Sequence, residues 1–148
     1  MSDMASKIVS PGSGKDYDLY LNHVFIKVSG QDTGGLYTII EEKLEPGFRL
    51  DPHLHRKYVE TFYILEGEVE FTIDDKTVMA STGTVVHVPQ NTPHSFKADV
   101  PSRLLIICSP GGFEGLLDTY TQLTSEQFEN SELLKSLDEQ HDLIRLTQ

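Results

Sequence analysis

The sequence predicts an all-β sandwich or barrel with a C-terminal helical extension. Between Tyr17 and Ser109, short runs of β-prone residues alternate with turn residues at intervals of about ten positions, a pattern typical of sandwiches and barrels. After Pro110, β-branched residues become sparse and apolar residues recur at helical spacing. The chain has 148 residues, which is the length of one ordinary domain with one hydrophobic core.

Nine runs within the β-rich block are predicted to be strands, because each is bounded by Gly, Pro, Asn, Asp or Ser residues that favour turns. The predicted strands are 24–29, 37–44, 53–55, 59–66, 68–73, 76–80, 84–88, 94–98 and 103–108. Asp74 and Asp75 separate two of these runs and give the clearest signal for the tip of a hairpin. The block is therefore expected to be β-structure throughout.

Two helices are predicted after the β-rich block. The first is indicated by apolar residues on one helical face, namely Phe113, Leu116, Leu117 and Tyr120. The second is expected over residues 132–145, where apolar side chains form one stripe and acidic side chains the solvated face. Asn130 or Ser131 is its expected N-cap.

The chain is expected to form one domain with a short appendage at each end. Residues 1–15 mix Ser, Gly and Pro without periodicity and are predicted to be a flexible N-terminal arm. Residues 16–112 are the predicted barrel. Residues 113–148 are the predicted helical tail, which is expected to pack on the barrel or on a partner subunit.

Composition and charge argue against several classes of partner. The formal net charge of −11, from 23 acidic and 12 basic side chains, repels nucleic-acid phosphates and anionic membrane surfaces. The sequence has no apolar stretch of about 18 residues, and its first residues lack the apolar run of a secretory signal. The single cysteine, Cys108, lies in an apolar run and is expected to be buried rather than reactive. A cytoplasmic location without nucleic-acid or membrane partners is expected.

Three histidines and one glutamate have a spacing that suits a metal site. His53 and His55 stand two positions apart, and alternate residues of a strand project from the same face, so both imidazoles can bind one ion at about 2.0–2.2 Å. A turn over residues 56–58 would return the chain on an adjacent strand, from which Glu60 can reach the same ion. The predicted strand that begins at His94 supplies a fourth ligand.

The spacing of these residues resembles the two sequence motifs of the cupin superfamily. Every position of the first motif, G-x5-H-x-H-x4-E-x6-G, is matched by Gly47, His53, His55, Glu60 and Gly67. The second motif, G-x5-P-x-G-x2-H, is similar to the set Gly83, Pro89, Asn91 and His94. Asn91 replaces the middle glycine of the second motif, and asparagine tolerates the left-handed conformation that such a turn favours.

Flanking segments extend the resemblance to bacterial cupins of the quercetin-dioxygenase-like type. The segments KVSGQDTGG (27–35) and SPGGFEGLL (109–117) are similar to their counterparts in such proteins, so the resemblance covers roughly residues 10–120. It implies a double-stranded β-helix, or jelly roll, that often assembles as a homodimer. It also implies one divalent first-row metal ion, which is iron, manganese, nickel, copper, cobalt or zinc. The implied ligands are His53, His55, Glu60 and His94.

The ligand candidates also admit a metal-free interpretation, in which the histidines only form hydrogen bonds inside the barrel. Burial of four titratable groups without an ion would carry a desolvation cost of several kcal/mol, which either an ion or protonation and water molecules must offset. The intact motif spacing favours the ion. Counting in twos from Glu60 and His94 places Phe62, Ile64 and Phe96 on the inward faces. These three side chains are candidates for a ligand pocket, and core packing is the alternative.

Three functions are compatible with such a centre, because a metal bound by three imidazoles and one carboxylate keeps open positions for a substrate oxygen, dioxygen or water. The first is a quercetinase-like dioxygenase of a small enolic or phenolic substrate, in which Glu60 accepts the substrate's hydroxyl proton. The second is a non-catalytic module that binds a metal and a small ligand. The third is a metal-dependent isomerase of a sugar or keto acid. The fold does not distinguish among them.

Overall fold

Two antiparallel sheets and three short helices make up the described part of the chain. The computed structural model describes residues 5–146, so the first four residues of the predicted arm and the last two of the predicted tail lie outside the described residues. The strands are β1 (Lys15–Asp18), β2 (Asn22–Val28), β3 (Thr38–Leu44), β4 (Phe48–Leu54), β5 (Val59–Glu66), β6 (Glu68–Ile73), β7 (Lys76–Ser81), β8 (Val85–Val88), β9 (His94–Ala98), β10 (Ser102–Ser109) and β11 (Ile144–Arg145). The helices are α1 (Glu114–Thr121), α2 (Ser125–Phe128) and α3 (Ser131–Gln140). Within residues 5–146, none of the helices has the length and apolar character needed to cross a bilayer.

The sheets face each other as the two walls of a jelly-roll barrel. One sheet has six strands in the order β1-β2-β3-β10-β5-β8, and the other has five in the order β11-β4-β9-β6-β7. The consecutive strands β3, β4 and β5 alternate between the two sheets, so the chain winds around a shared core instead of forming one meander. The predicted all-β jelly roll with a short C-terminal helical part is confirmed.

Most strand predictions are confirmed to within two residues, and β5, β6 and β9 are confirmed at both ends. Asp74 adopts the left-handed conformation, with φ of 53°, at the tip of the hairpin between β6 and β7. The prediction for β4 was too short, since this strand begins at Phe48 and continues through Pro52. Strands β1 and β11 were not predicted because they are short and lack a run of β-branched residues.

The helical tail folds back onto the barrel. Helix α1 matches its prediction, and α3 begins as expected with Asn130 as N-cap, whose side-chain oxygen accepts a hydrogen bond from Leu133 N at 3.1 Å. Helix α3 ends at Gln140 instead of continuing to Arg145, because Asp142 adopts a left-handed conformation with φ of 61°. The next residues form β11, which pairs with β4. Helix α2 was not predicted, although Thr124 forms a capping box with Gln127.

Aromatic side chains of both sheets form the centre of the core. Phe62 of β5, Phe71 of β6 and Phe96 of β9 contact one another with ring centroids 5.1–5.5 Å apart. Ile64 is fully buried in the same apolar cluster. This packing fixes the inward faces of β5 and β9, which carry two of the four candidate metal ligands.

Candidate metal centre

A one-residue bulge in β4 turns the first two histidines toward the barrel interior. Phe48 pairs with Ala98 and Leu50 with Phe96, whereas the next pair is His53 with His94, so three positions on β4 match two on β9. The bulge reverses the alternation of the strand, because even-numbered residues face inward before it and odd-numbered residues face inward after it. His53 is thereby placed directly beside His94.

Glu60 reaches the histidines from the opposite wall of the barrel. The sequence interpretation placed Glu60 on a strand adjacent to the histidine pair, and this was wrong. Strand β4 belongs to the five-stranded sheet, whereas β5 belongs to the six-stranded sheet between β10 and β8. The turn over residues 56–58 carries the chain from one sheet to the other, so Glu60 faces His53, His55 and His94 across the interior. This arrangement places candidate metal ligands on two sides of one position in the barrel interior.

The four side chains converge in the interior. Each has one ligand atom within 4.8 Å of the others, and all four residues are buried. His55 Nε2 lies 2.7 Å and His94 Nε2 lies 3.2 Å from Glu60 Oε1. Ligands around an ion with bonds of about 2.1 Å would be about 3.4 Å apart at the tetrahedral angle and about 4.2 Å apart on opposite sides, so the widest pairs would move slightly closer and the His55–Glu60 pair slightly apart.

Backbone carbonyls orient all three imidazoles in the same way. The Nδ1 atoms of His53, His94 and His55 lie 2.9, 2.9 and 2.7 Å from the carbonyl oxygens of Asp51, Thr92 and Asp142, respectively. A carbonyl oxygen only accepts hydrogen bonds, so each Nδ1 carries a proton and donates it. The Nε2 atoms of His55 and His94 face Glu60, and the Nε2 atom of His53 is left as the ligand atom within the same cluster. This is the arrangement that histidine ligands of metals ordinarily have.

The electrostatics of the group favour a bound cation. Burial disfavours the charged form of Glu60, but hydrogen bonds to His55 and His94 outweigh it and lower the pKa of this carboxyl group. Burial, together with repulsion by His94, lowers the pKa of His53 to about 3, so its imidazole is neutral near pH 7. Burial also disfavours protonated His55, yet its hydrogen bond with Glu60 raises its pKa. The buried group could therefore hold a divalent ion, which would displace the His55 proton.

The candidate metal centre opens onto a cavity of about 590 Å³. His53, His55 and Glu60 lie on its wall, and the apolar part of the wall includes Phe62 and Phe96. These two predicted pocket residues therefore line the cavity. Ile64, the third, is fully buried in the core and is not among the lining residues, because it lies further along β5 beside Leu104 of β10.

The helical tail contributes much of the cavity wall, which the sequence interpretation did not anticipate. Its apolar lining residues are Phe113, Leu116, Leu117, Tyr120, Phe128 and Leu143. The helical spacing that predicted α1 identified four of them only as a packing face. Cys108 also lines the cavity and is buried as predicted, and burial raises the pKa of its thiol well above 9.

Asp142 holds the tail against the turn that follows His55. Its carboxylate accepts hydrogen bonds from the backbone N–H groups of Arg56 at 2.9 Å and Lys57 at 2.7 Å. Its backbone carbonyl accepts the Nδ1–H of His55. The left-handed conformation of Asp142 allows both groups to point at the same turn. A residue of the tail therefore fixes the orientation of a candidate metal ligand.

We expect Asp142→Ala to weaken metal binding about 10-fold, because loss of the carboxylate releases the turn at Arg56 and Lys57 from the carbonyl that orients His55. Partners that orient metal ligands typically contribute at least this much to affinity. Competition with a chromogenic chelator will measure the dissociation constant. Asp142→Asn, which keeps one accepting oxygen, should fall between the wild type and Asp142→Ala. Asp74→Ala is the matched control, since Asp74 is exposed and is also left-handed. Equal losses in Asp74→Ala and Asp142→Ala would contradict the role of Asp142.

Glu42 of β3 is a second buried carboxyl group on the cavity wall. Burial raises its pKa to about 7, with a further contribution from repulsion by Glu60 and against the effect of a hydrogen bond from Asn22. The folded protein therefore binds the Glu42 proton more tightly than the unfolded chain does. Its contribution to stability is complete below the ordinary pKa of 4.5 and is lost as the pH rises through about 7.

We accordingly expect the free energy of unfolding of the metal-free wild type to decrease, relative to that of Glu42→Gln, as the pH rises from about 4.5 to about 7. The amide does not ionise, so the difference between the two proteins should change by about 3 kcal/mol over this range. Urea unfolding at a series of pH values will measure it. Parallel pH profiles for the two proteins would show that Glu42 does not titrate in this way.

Comparison with known proteins identifies the barrel. Residues 40–108 match the family model of the cupin domain. A quercetin 2,3-dioxygenase from Bacillus subtilis (strain 168) is 30% identical to this chain over 95 residues, which are 64% of this chain and 28% of that protein. The chain thus spans little more than a quarter of the length of this curated relative.

Solved structures share the same architecture at low sequence identity. KdgF from Halomonas sp. matches with a TM-score of 0.66 and 18% identity, over 73% of this chain and 96% of that one. Ectoine synthase from P. lautus matches with a TM-score of 0.64 and 16% identity, over 83% of this chain and 100% of that one. At these identities the likeness shows the fold alone. The match to the family model assigns residues 40–108 to the cupin domain, and the solved structures share its fold.

Proposed function

We propose that this cupin is a metal-dependent dioxygenase of the quercetinase-like type, which acts on a small enolic or phenolic substrate. The observation that carries the proposal is the convergence of the buried His53, His55, Glu60 and His94, the first three of which line a largely apolar cavity. Such a cavity suits an aromatic substrate with few polar groups. The 30% identity with a quercetin 2,3-dioxygenase supports the same choice.

The residues of the chain have separate tasks in this proposal. Three imidazole Nε2 atoms and a carboxylate oxygen of Glu60 would hold one divalent iron, manganese, nickel, copper, cobalt or zinc ion. Redox activity requires one of these metals other than zinc. When bound, the ion supplies a position for the substrate oxygen and activates the substrate toward dioxygen. Glu60 accepts the hydroxyl proton of the substrate at a carboxylate oxygen. Both atoms of dioxygen enter the organic product, so no external reductant is consumed.

Elemental analysis followed by oxygen-uptake assays will test the proposal. We expect a near-stoichiometric redox-active metal in the purified protein and oxygen consumption with flavonols, enediols or diketones. Zinc alone, with no oxygen consumption by the manganese-, iron-, nickel- or copper-reconstituted protein, would contradict a dioxygenase and favour a metal-dependent isomerase. Absence of metal binding would favour a cupin that only binds a small ligand.

We further propose that the protein is a cytoplasmic homodimer. Tyr63 of β5 is 42% exposed and lies directly opposite Val85 of the edge strand β8, which is 59% exposed. This apolar pair on the outer face of the six-stranded sheet would be covered in a dimer. Size-exclusion chromatography with light scattering should return about twice the chain mass of 16.6 kDa, and a Tyr63→Lys variant should be monomeric. A wild type that is monomeric at micromolar concentration would refute the dimer.

A further inference from the structure

Glu42 lies in an otherwise apolar row of the barrel interior. On β3, Ile40 and Leu44 flank it on the inward face, and both are buried. Its neighbours on the adjacent strands are Val24 and Leu104, which are also buried. A carboxyl group among four apolar side chains is costly unless it binds a polar group. Its presence at this position therefore requires a reason.

One oxygen of Glu42 is bound and the other faces the cavity. Asn22 Nδ2 donates a hydrogen bond to Glu42 Oε2 at 2.8 Å. The Oε1 atom has no hydrogen-bond partner among residues 5–146. In this part of the chain, every fully enclosed side-chain oxygen or nitrogen has a hydrogen-bond partner. It follows that Oε1 is in contact with open space. Glu42 and Asn22 both line the cavity of the metal centre, so Oε1 opens into that cavity.

Glu42 and the candidate metal ligands are separated along the wall of this cavity. Glu60 is paired with Cys108 of β10, and Cys108 is paired with Thr38 of β3. Glu42 is four residues beyond Thr38, which corresponds to about 13 Å of strand. Both carboxyl groups line the same cavity, and repulsion by Glu60 contributes to the raised pKa of Glu42. A molecule with one oxygen at the metal centre would therefore direct its far end toward Glu42.

We propose that Glu42, oriented by Asn22, determines substrate specificity by binding a hydroxyl group at the end of the substrate remote from the metal centre. The inference rests on the proposed function, because that function places the other end of the substrate at the metal. It defines the substrate class as an apolar, aromatic molecule with a metal-binding oxygen at one end and a hydroxyl group at the other. Hydrogen bonds of this kind discriminate strongly against analogues that lack the hydroxyl group, because the buried polar group is then left unpaired.

The chemistry of Glu42 favours a hydroxyl group over other polar groups. A hydroxyl group both donates and accepts, so it can pair with a carboxylate or with a protonated carboxyl group. With its pKa raised to about 7, Glu42 is present in both forms at neutral pH. An ammonium group would require the ionised form, and an anion would be repelled by it. A neutral hydroxyl group is therefore the ligand that fits both forms.

Binding of two matched fragments tests the inference without a metal or dioxygen. The fragments p-cresol and p-xylene differ by one hydroxyl group in place of a methyl group, and ligand-observed NMR will measure their dissociation constants. We expect the wild type to bind p-cresol about 10- to 100-fold more tightly than p-xylene, as a hydrogen bond to a buried carboxylate predicts. Glu42→Leu should lose this preference, whereas p-xylene binding should remain within about 2-fold of the wild type.

Two further variants complete the experiment. Glu42→Gln keeps an accepting oxygen and should retain most of the preference for p-cresol. Glu45→Leu is the matched control, because Glu45 is exposed at the end of the same strand, and it should leave both constants unchanged. Absence of p-cresol binding to the wild type, or a preference for p-cresol that persists in Glu42→Leu, would overturn the inference.

The fragment experiment is independent of the test of the proposed function. A Glu42-dependent preference for p-cresol in a protein that consumes no oxygen with any substrate would support the binding role of Glu42 and contradict the dioxygenase. Oxygen consumption by a protein whose fragment preference is unaffected in Glu42→Leu would support the dioxygenase and contradict the role of Glu42. The two failures can therefore be told apart.

Discussion

The wild type is expected to retain a divalent metal on purification, and a variant with His53→Ala and His55→Ala is expected to lose it. Two of the four converging donors are removed, and the remaining His94 and Glu60 lie on opposite walls of the barrel. The loss of affinity should exceed 100-fold, since even partners that only orient a ligand contribute about 10- to 100-fold. Elemental analysis of both proteins, purified in parallel without added metal, will measure the difference.

A surface histidine provides the control for nonspecific metal binding. His87 is exposed and its Nδ1 lies 2.9 Å from the Thr61 hydroxyl group, on the face of the sheet opposite to Glu60, so His87→Ala should keep the full metal content. Metal should also raise the melting temperature of the wild type and of His87→Ala, because a ligand that binds the folded state stabilises it. Unchanged metal content in the double variant, with a native melting profile, would refute the assignment of these ligands.

The identity of the ligand candidates could be predicted from the sequence because it depends on local spacing. His53 and His55 are two positions apart, so they project from the same face of any regular strand. Asn91 occupies a turn with φ of 59° where the cupin motif has glycine. The route by which Glu60 meets the histidines could not be predicted in the same way. It depends on the bulge in β4 and on the crossing from one sheet to the other, and both are long-range features with no local sequence signal.

The cavity was the part of the site that sequence patterns described least well. Counting in twos identified Phe62 and Phe96, but the same rule cannot distinguish a cavity wall from the core that contains Ile64. Asp142 was assigned to the solvated face of a helix, whereas it binds the turn after His55. Glu42 could not be identified from the sequence, because a carboxyl group in an alternating strand ordinarily faces solvent. Only the pairing of strands shows that it faces inward.

The substitution Glu60→Gln is expected to lower turnover at least 100-fold while part of the metal is retained. The amide keeps an oxygen that can bind a metal, but it does not accept a proton at neutral pH. General-base catalysis by a positioned carboxylate typically contributes about 10²- to 10⁴-fold, so the loss should appear in kcat. Oxygen-uptake rates, normalised to the metal content measured on the same samples, will separate loss of the base from loss of the ion.

Metal retention in Glu60→Gln follows from the geometry of the other three ligands. Backbone carbonyls hold the Nδ1 atoms of His53, His55 and His94, so the direction of the Nε2 atoms does not depend on Glu60. Glu68→Gln is the matched control, because Glu68 is exposed at the start of the next strand and should leave turnover unchanged. Wild-type turnover per bound metal in Glu60→Gln would mean that Glu60 is only a ligand. The proton of the substrate hydroxyl group would then have to leave by another route.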